Sequence, residues 1–296
     1  MSSDVHMFNE NWHKPIPAIE GNLLVKERVI SGEPFLATKI GAVEKMVLLN
    51  HIAKNVNWDR SQSKYHHVVR HHASNNAGIT PSDDNTLDFF IQEYTNSLGN
   101  VDFIGSMESV EELAIMDKYC PSNATFSELR YLEPFYFEEP WSHPLEGKNV
   151  LVIHPFEKSI KQQYANREKL FKNPHTLPEF NLLTIKAEQT NGGGMAGGSP
   201  HFCEALKIMI NKMNNIEYDI ALIACGAYGL MLGNHAKQCG KQAVHIGGGL
   251  QILFGIKGAR WDEHPEISAM FNEYWCRPLE EEKTVNYQEI EDGTYW

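Results

Sequence analysis

Glu44 stands three residues after Gly41 in PFLATKIGAVEKMVLLN, residues 34–50. An apolar run that breaks at a glycine and resumes at helical spacing reads as a strand feeding a helix. A carboxylate at that junction lies in the field of the helix N-terminus. It can take a proton as a general base or ligate a hard cation, and it serves equally as a plain helix-end charge. Lys39, on the same strand, can meet a phosphate or simply carry its stem along the sheet edge. The second half of the chain offers four polar or glycine-rich segments after apolar runs: HPFEKS (154–159), EQTNGGGMAGGS (188–199), CGAYG (225–229) and IGGG (246–249). Strand exits of this kind present free peptide N–H groups to an anion. His154, Gly226, Tyr228, Gly229, His245, Gly247 and Gly248 are therefore candidate ligand contacts. At Gly226 and Gly229 an added side chain is expected to block a ligand more than it disturbs the packing. In GIKGARWDEH (255–264), Lys257 and Arg260 suit a diphosphate, and Trp261 can stack on a ring. A basic helix end that complements its own dipole accounts for the same two cations.

Other chemistries fit less well. A dinucleotide fingerprint needs G-x-G-x-x-G and an acidic residue about 20 positions on. Gly226, Gly229 and Gly233 have a different spacing, and the next strand ends at His245-Ile246-Gly247 without a carboxylate. A phosphate-gripping G-x-x-x-x-G-K-[ST] is also absent. In KYHHVVRHHASNNAGI (64–79), His67 and His71 are four apart and would share a helix face. They lack the glutamate of H-E-x-x-H, so a solvated face is the simpler expectation. Asn75 and Asn76, just beyond, have amides suited to sugar hydroxyls.

The elements that must position these residues are clearest in the second half. Strands are expected at 148–156, 180–189, 218–226 and 241–247, alternating with helices at 157–171, 201–213 and 227–240. Apolar strands alternating with helices predict a parallel sheet covered on both faces, with right-handed crossovers. The first half adds strands at 34–41 and 101–106 and helices at 42–55, 84–98 and 110–120. The fold class is thus α/β, a Rossmann-like parallel sheet with helices on both faces plus a smaller N-terminal α/β unit. Three segments are expected: 1–140, 141–262 and a C-terminal tail, 263–296, whose acidic end EEEKTVNYQEIEDGTYW reads as surface.

Bulk properties bound the function. The 296 residues can bury a sizeable core. A formal net charge of -12 argues against a general nucleic-acid binder, which needs surplus Lys and Arg. No apolar run reaches the roughly 20 residues of a membrane span, leaving only peripheral membrane contact open. The N-terminus lacks a signal-peptide pattern, and the five cysteines form no C-x-x-C. Reduced thiols and a cytoplasmic location are expected.

LEPFYFEEPWSHPLEGKNVLVIHPFEKSIKQQYANREKLF (132–171), DIALIACGAYGLMLGNHAKQCGKQAVHIGGGLQILFGIKG (219–258), EPFLATKIGAVE (33–44) and SNNAGI (74–79) together resemble glycosyltransferases of the GT-D fold type. The likeness is to relatives in surface-polysaccharide pathways and runs from about residue 30 to about residue 262. It implies transfer of a sugar from a nucleotide-sugar donor, UDP-linked, to a glycan acceptor. Members carry a D-x-E motif associated with the donor diphosphate and with Mn²⁺ or Mg²⁺. Aligned here is Gly41-Ala42-Val43-Glu44, with the glutamate kept and Ala42 at the aspartate position. The family's Asp-rich ending is likewise altered, to His245-Ile246-Gly247-Gly248. The resemblance makes Glu44 the catalytic candidate and the carboxylate for any metal. Lys39, Gly41, Asn76, Lys257 and Arg260 join the glycine exits as donor contacts. The missing aspartate leaves a second expectation, a non-catalytic nucleotide- or glycan-binding subunit.

Overall fold

Short runs of Val, Ile, Leu and Phe supply the strands, and longer amphipathic runs supply the helices that cover them. The computed structural model describes residues 15–57, 64–107, 109–192, 201–284 and 286–296. In chain order the elements are α1 (Ala18–Ser31), β1 (Phe35–Lys39), α2 (Ala42–Asn57), α3 (His67–Asn75), α4 (Asp84–Leu98), β2 (Phe103–Ser106), α5 (Val110–Tyr119) and β3 (Thr125–Glu128). There follow β4 (Asn149–His154), α6 (Glu157–Tyr164), α7 (Arg167–Leu170), β5 (Asn181–Lys186), α8 (Phe202–Asn214), β6 (Ile220–Ile223), α9 (Gly229–Gln238) and β7 (Gln242–His245). Three short helices close the series: α10 (Gly249–Leu253), α11 (Ala259–Asp262) and α12 (Pro265–Ser268).

The seven strands form one parallel sheet in the order β3-β2-β1-β7-β6-β4-β5, as a Rossmann-like α/β fold requires. Strands of the N-terminal unit and of the Rossmann-like half pair directly: Leu36 of β1 registers with Ala243 of β7. The boundary near residue 140 therefore divides one continuous sheet. Period-2 alternation sends Leu36, Leu151 and Ile153 into one apolar layer, and Phe35, Ala37, Val150 and Val152 into the other. α2, α3, α4, α5, α8 and α9 pack on the first layer, while α1, α6, α10 and α12 pack on the second. Side-chain caps fix several helix starts, those of α4 and α5 among them. Asp83 accepts from Thr86 N at 2.8 Å, and Ser109 accepts from Glu112 N at 3.3 Å.

This layering creates two switch points at the carboxyl edge of the sheet. β1 leads to the α2 face and its neighbour β7 to the α10 face, which opens a crevice between them. β6 and β4 part in the same way, toward α9 and α6. Ligands of open α/β sheets bind at such crevices.

The C-terminal tail departs from the surface expectation. Glu282 and Ile290 are buried. The Glu282 carboxylate accepts from Lys158 N at 2.7 Å and Ser159 N at 3.0 Å, and also from the Ser159 hydroxyl. It thereby satisfies N–H groups in the first turn of α6. Periodicity gives no hint of this, because the tail packs through isolated residues and single turns. Among the described residues no helix is long and apolar enough to cross a membrane. All five cysteines are free.

Candidate functional site

The crevice between β6 and β4 is filled by the protein itself. Glu282 occupies the start of α6, and Trp296 lies edge-on to Phe156 with ring centroids 5.6 Å apart. His154 is buried, and its Nδ1 accepts from Phe156 N at 2.9 Å, closing the turn after β4. On the β6 side Gly226 has φ +59, and a Cβ there would stand 3.1 Å from the Ala77 carbonyl oxygen. The Ala77 carbonyl accepts from Ala227 N at 3.2 Å. Tyr228 is buried, stacks on Phe202, and shares a 2.5 Å hydrogen bond with the Thr190 hydroxyl. A Cβ on Gly229 would meet the His245 ring at 2.2 Å. The expectation that Gly226 and Gly229 keep an approach path open is thus corrected, because both are glycine for close packing. Asn76 bonds back to His72 Nδ1 at 3.2 Å, beside this packed loop. Of the glycine segment 188–199, residues 193–199 lie outside the described residues.

The crevice between β1 and β7 differs in kind. Its floor is His245, buried, with Nδ1 2.9 Å from the Thr38 hydroxyl. Gly247, at φ +72, takes a backbone conformation that a side chain would strain. A Cβ there would also stand 2.6 Å from Lys39 Cε, so the lysine stem lies across this residue. A Cβ on Gly249 would stand 3.1 Å from Glu133 Oε1. Lys39 and Glu133 thus bracket the glycine loop, while Gly248 lies beneath Trp261 and Tyr295. Glu44, 9% exposed, folds its carboxylate over Gly41 at the start of α2, within the space a side chain on Gly41 would need. Beneath it Tyr94 is wholly buried. Burial first, and the Glu44 carboxylate second, push the Tyr94 hydroxyl well above its usual pKa.

The charged ends of half-buried Lys39 and Glu133 and of buried Glu44 have no hydrogen-bond or ion-pair partner among the described residues, unlike the buried acids Glu112 and Glu282. Buried Glu112 accepts from Met107 N at 2.8 Å and pairs with Lys45 at 3.4 Å, and Glu282 caps α6. Leaving ionisable groups largely buried and unpaired is costly, and sites that do so are functional candidates. Burial raises the Glu133 carboxyl to about 7, against the pull of Arg130, Arg260 and Lys39. Sequence reasoning passed over Glu133, which lies in the proline-rich connection 132–148. Its only signal was a carboxylate next to proline within the resembling stretch.

The remaining candidates divide. Arg260 borders the crevice, exposed, with Nη1 3.4 Å from the Tyr295 hydroxyl and 3.7 Å from Glu291 Oε2. Lys257 points elsewhere, its ammonium 5.7 Å from the Phe271 ring centroid. Trp261 is buried against Gly248 and Gly258 and has no open face for stacking. His67 and His71 are exposed on α3, and no group of three His, Cys, Asp or Glu able to hold a metal occurs among the described residues. Two surface depressions lie away from the crevice. One, of about 310 Å³, is lined by Lys26, Ile30, Glu139 and His143, and the other, of about 250 Å³, by Lys186, Glu188 and Lys212. Each contains an ion pair, Lys26–Glu139 in the first and Lys212–Glu188 in the second.

His154 and His245 give a pH prediction. Burial holds both near pKa 3, with Lys39 adding to the effect at His245, against 6.5 for free histidine. Between about pH 6.5 and 3 the unfolded chain binds protons that the folded chain refuses, so stability must fall as pH falls. The slope is up to about 1.4 kcal/mol per pH unit for each histidine. Urea unfolding at pH 7.5, 6 and 5 should show it, with a shallower slope in His245→Asn. Equal slopes in the two proteins would contradict the buried-neutral assignment for His245.

These features define an α/β protein with a seven-stranded parallel sheet and a topological switch point between β1 and β7. Comparison of the chain with protein-family models, with curated proteins and with solved structures finds no match in any of the three.

Proposed function

We propose that the chain is a nucleotide-sugar-dependent glycosyltransferase, similar to enzymes of the GT-D type, with its donor in the β1/β7 crevice. The observation that carries this reading is a set of ionisable groups with no partner among the described residues, Lys39 and Glu133 against the glycine loop 247–249 and Glu44 folded over Gly41 at the end of the neighbouring strand. A lysine beside a glycine turn suits a diphosphate, and carboxylates suit sugar hydroxyls. Glycosyl transfer needs charge relief on the leaving diphosphate and an acceptor for one proton. Lys39 supplies the first, with Arg260 at the border. Glu44 accepts hydrogen bonds from the donor. The acceptor is a glycan of surface-polysaccharide synthesis, and the reaction runs in the cytoplasm, with peripheral membrane contact where the glycan is membrane-held. The donor is UDP-linked.

The divalent cation of the resembling family does not fit the residues present. Ala42 is exposed at the expected aspartate position, and no three-ligand group exists among the described residues. Mg²⁺ and Mn²⁺ favour sets of oxygen ligands that a single carboxylate does not provide. The leaving charge is therefore assigned to Lys39 and Arg260.

Turnover tests the reading. The chain is incubated with a panel of nucleoside-diphosphate sugars, with and without glycan acceptors, and free nucleoside diphosphate is measured. Acceptor-dependent release is expected with a UDP-sugar. Tight binding with no release across the panel would instead favour the non-catalytic binding subunit. Neither binding nor release would contradict both.

A further inference from the structure

The charged end of Glu133 has no partner among the described residues, yet the turns around it are tied to β1 and to Trp141. It is the single residue between two short 3-10 turns, Leu129–Leu132 and Pro134–Tyr136, and its N–H donates to the Arg130 carbonyl at 3.0 Å. On one side the buried Tyr131 hydroxyl donates to the Thr38 carbonyl at 3.0 Å, pinning the turn to β1 next to Lys39. On the other, Trp141 Nε1 donates to the Leu132 carbonyl at 3.2 Å. The nearest cation in sequence is engaged elsewhere. Arg130 holds Glu266 through both guanidinium nitrogens, at 3.3 and 2.5 Å, and lies 4.1 Å from the Tyr136 ring centroid. The chain thus fixes a carboxylate at the glycine loop with no partner for it among the described residues.

Resting on the glycosyltransferase reading, we propose that Glu133 is a catalytic residue, the base that takes the proton from the acceptor hydroxyl. The acceptor oxygen forms its bond to the anomeric carbon, and the bond from that carbon to the phosphate oxygen breaks. Its electron pair leaves with the nucleoside diphosphate, facing Lys39, and the hydroxyl proton passes to a Glu133 carboxylate oxygen. Lys39 and Glu133 lie against Gly247 and Gly249, so one loop carries the leaving-group contact and the base two residues apart. The charged groups facing Glu133 are Arg130, Arg260, Lys39 and Glu266, with the Tyr136 hydroxyl close by. Burial outweighs the three cations and holds the carboxyl near 7, where a base is half charged at neutral pH and still able to hold a proton.

The test compares wild type, Glu133→Gln and Glu133→Asp for nucleoside diphosphate release between pH 5.5 and 9, and for UDP binding by calorimetry. Wild-type kcat/KM should rise through an apparent pKa near 7. Glu133→Gln should lose that limb and fall by about 10²–10⁴-fold, with UDP affinity within a few-fold of wild type. Glu133→Asp, with its carboxylate drawn back, should keep the limb at reduced rate. A Gln variant with turnover within threefold of wild type, or with the limb intact, overturns the assignment while the transferase reading stands. So does an Asp variant as inactive as the Gln variant. A wild-type chain that turns over no nucleotide-sugar overturns both.

Discussion

Lys39→Met is expected to cut turnover about 10²–10³-fold, the usual cost of removing one preorganised group that stabilises developing charge. The physical case begins with the stem. Lys39 lies across Gly247, and methionine preserves much of that apolar path while removing the ammonium. No carboxylate loses an ion pair, because Lys39 has none among the described residues. The fold should therefore hold its melting temperature within a few degrees. Glu133 would respond as well. Losing one of the cations that pull its pKa down moves the pH–rate limb upward. A Met variant with wild-type turnover and an unmoved limb would remove Lys39 from the site.

The second large effect is expected at Glu44. Glu44→Gln keeps the shape of the side chain folded over Gly41 but removes its charge. Hydrogen bonds to a charged acceptor contribute about 1.5–3 kcal/mol, so kcat/KM for the donor should fall roughly 10–150-fold. The pH limb should remain, since Glu133 takes the proton. Excess Mn²⁺ should not restore the rate, because Glu44 belongs to no group of three potential metal ligands among the described residues. Recovery with Mn²⁺ would make Glu44 a metal ligand. Loss of the limb together with the rate would make it the base in place of Glu133. Burial adds a structural side effect, since the Glu44 carboxylate helps hold the Tyr94 hydroxyl protonated.

What the sequence shows of this architecture follows from what makes each element visible. Helix Asp84–Leu98 emerges with its bounds intact because Leu87, Phe90, Ile91, Tyr94 and Leu98 mark one buried face and Asp83 caps it. The parallel strands are legible as unbroken apolar runs, since both of their faces are covered. Helix Ala18–Ser31 is not, because Ile19, Leu23 and Ile30 are exposed while Ala18, Val25 and Val29 are buried, which blurs the stripe. The edge strand Thr125–Glu128 is short and polar and carries no period. At the proposed site, Lys39, Gly41, Glu44, Gly247 and Gly248 stand out in the sequence because they lie where a strand gives way to a helix or turn. Glu133 does not, because two irregular turns place it and a distant hydrogen bond, from Tyr131 to Thr38, ties the first of them to β1. The opposite error arose at Gly226 and Gly229. A glycine before a helix looks the same in sequence whether it faces a phosphate, the Ala77 carbonyl or the His245 ring. Local pattern cannot report what a distant segment brings against that glycine.

Amide hydrogen exchange of the whole chain with and without millimolar UDP tests the central claim most directly, because it reports where a ligand slows local opening. The account predicts slower exchange in residues 39–45, 129–134 and 246–250, with little change at 225–229 and 157–160, where the protein fills its own crevice. Protection confined to 225–229 or to 186–189, or none anywhere at saturating UDP, would contradict a donor site between β1 and β7.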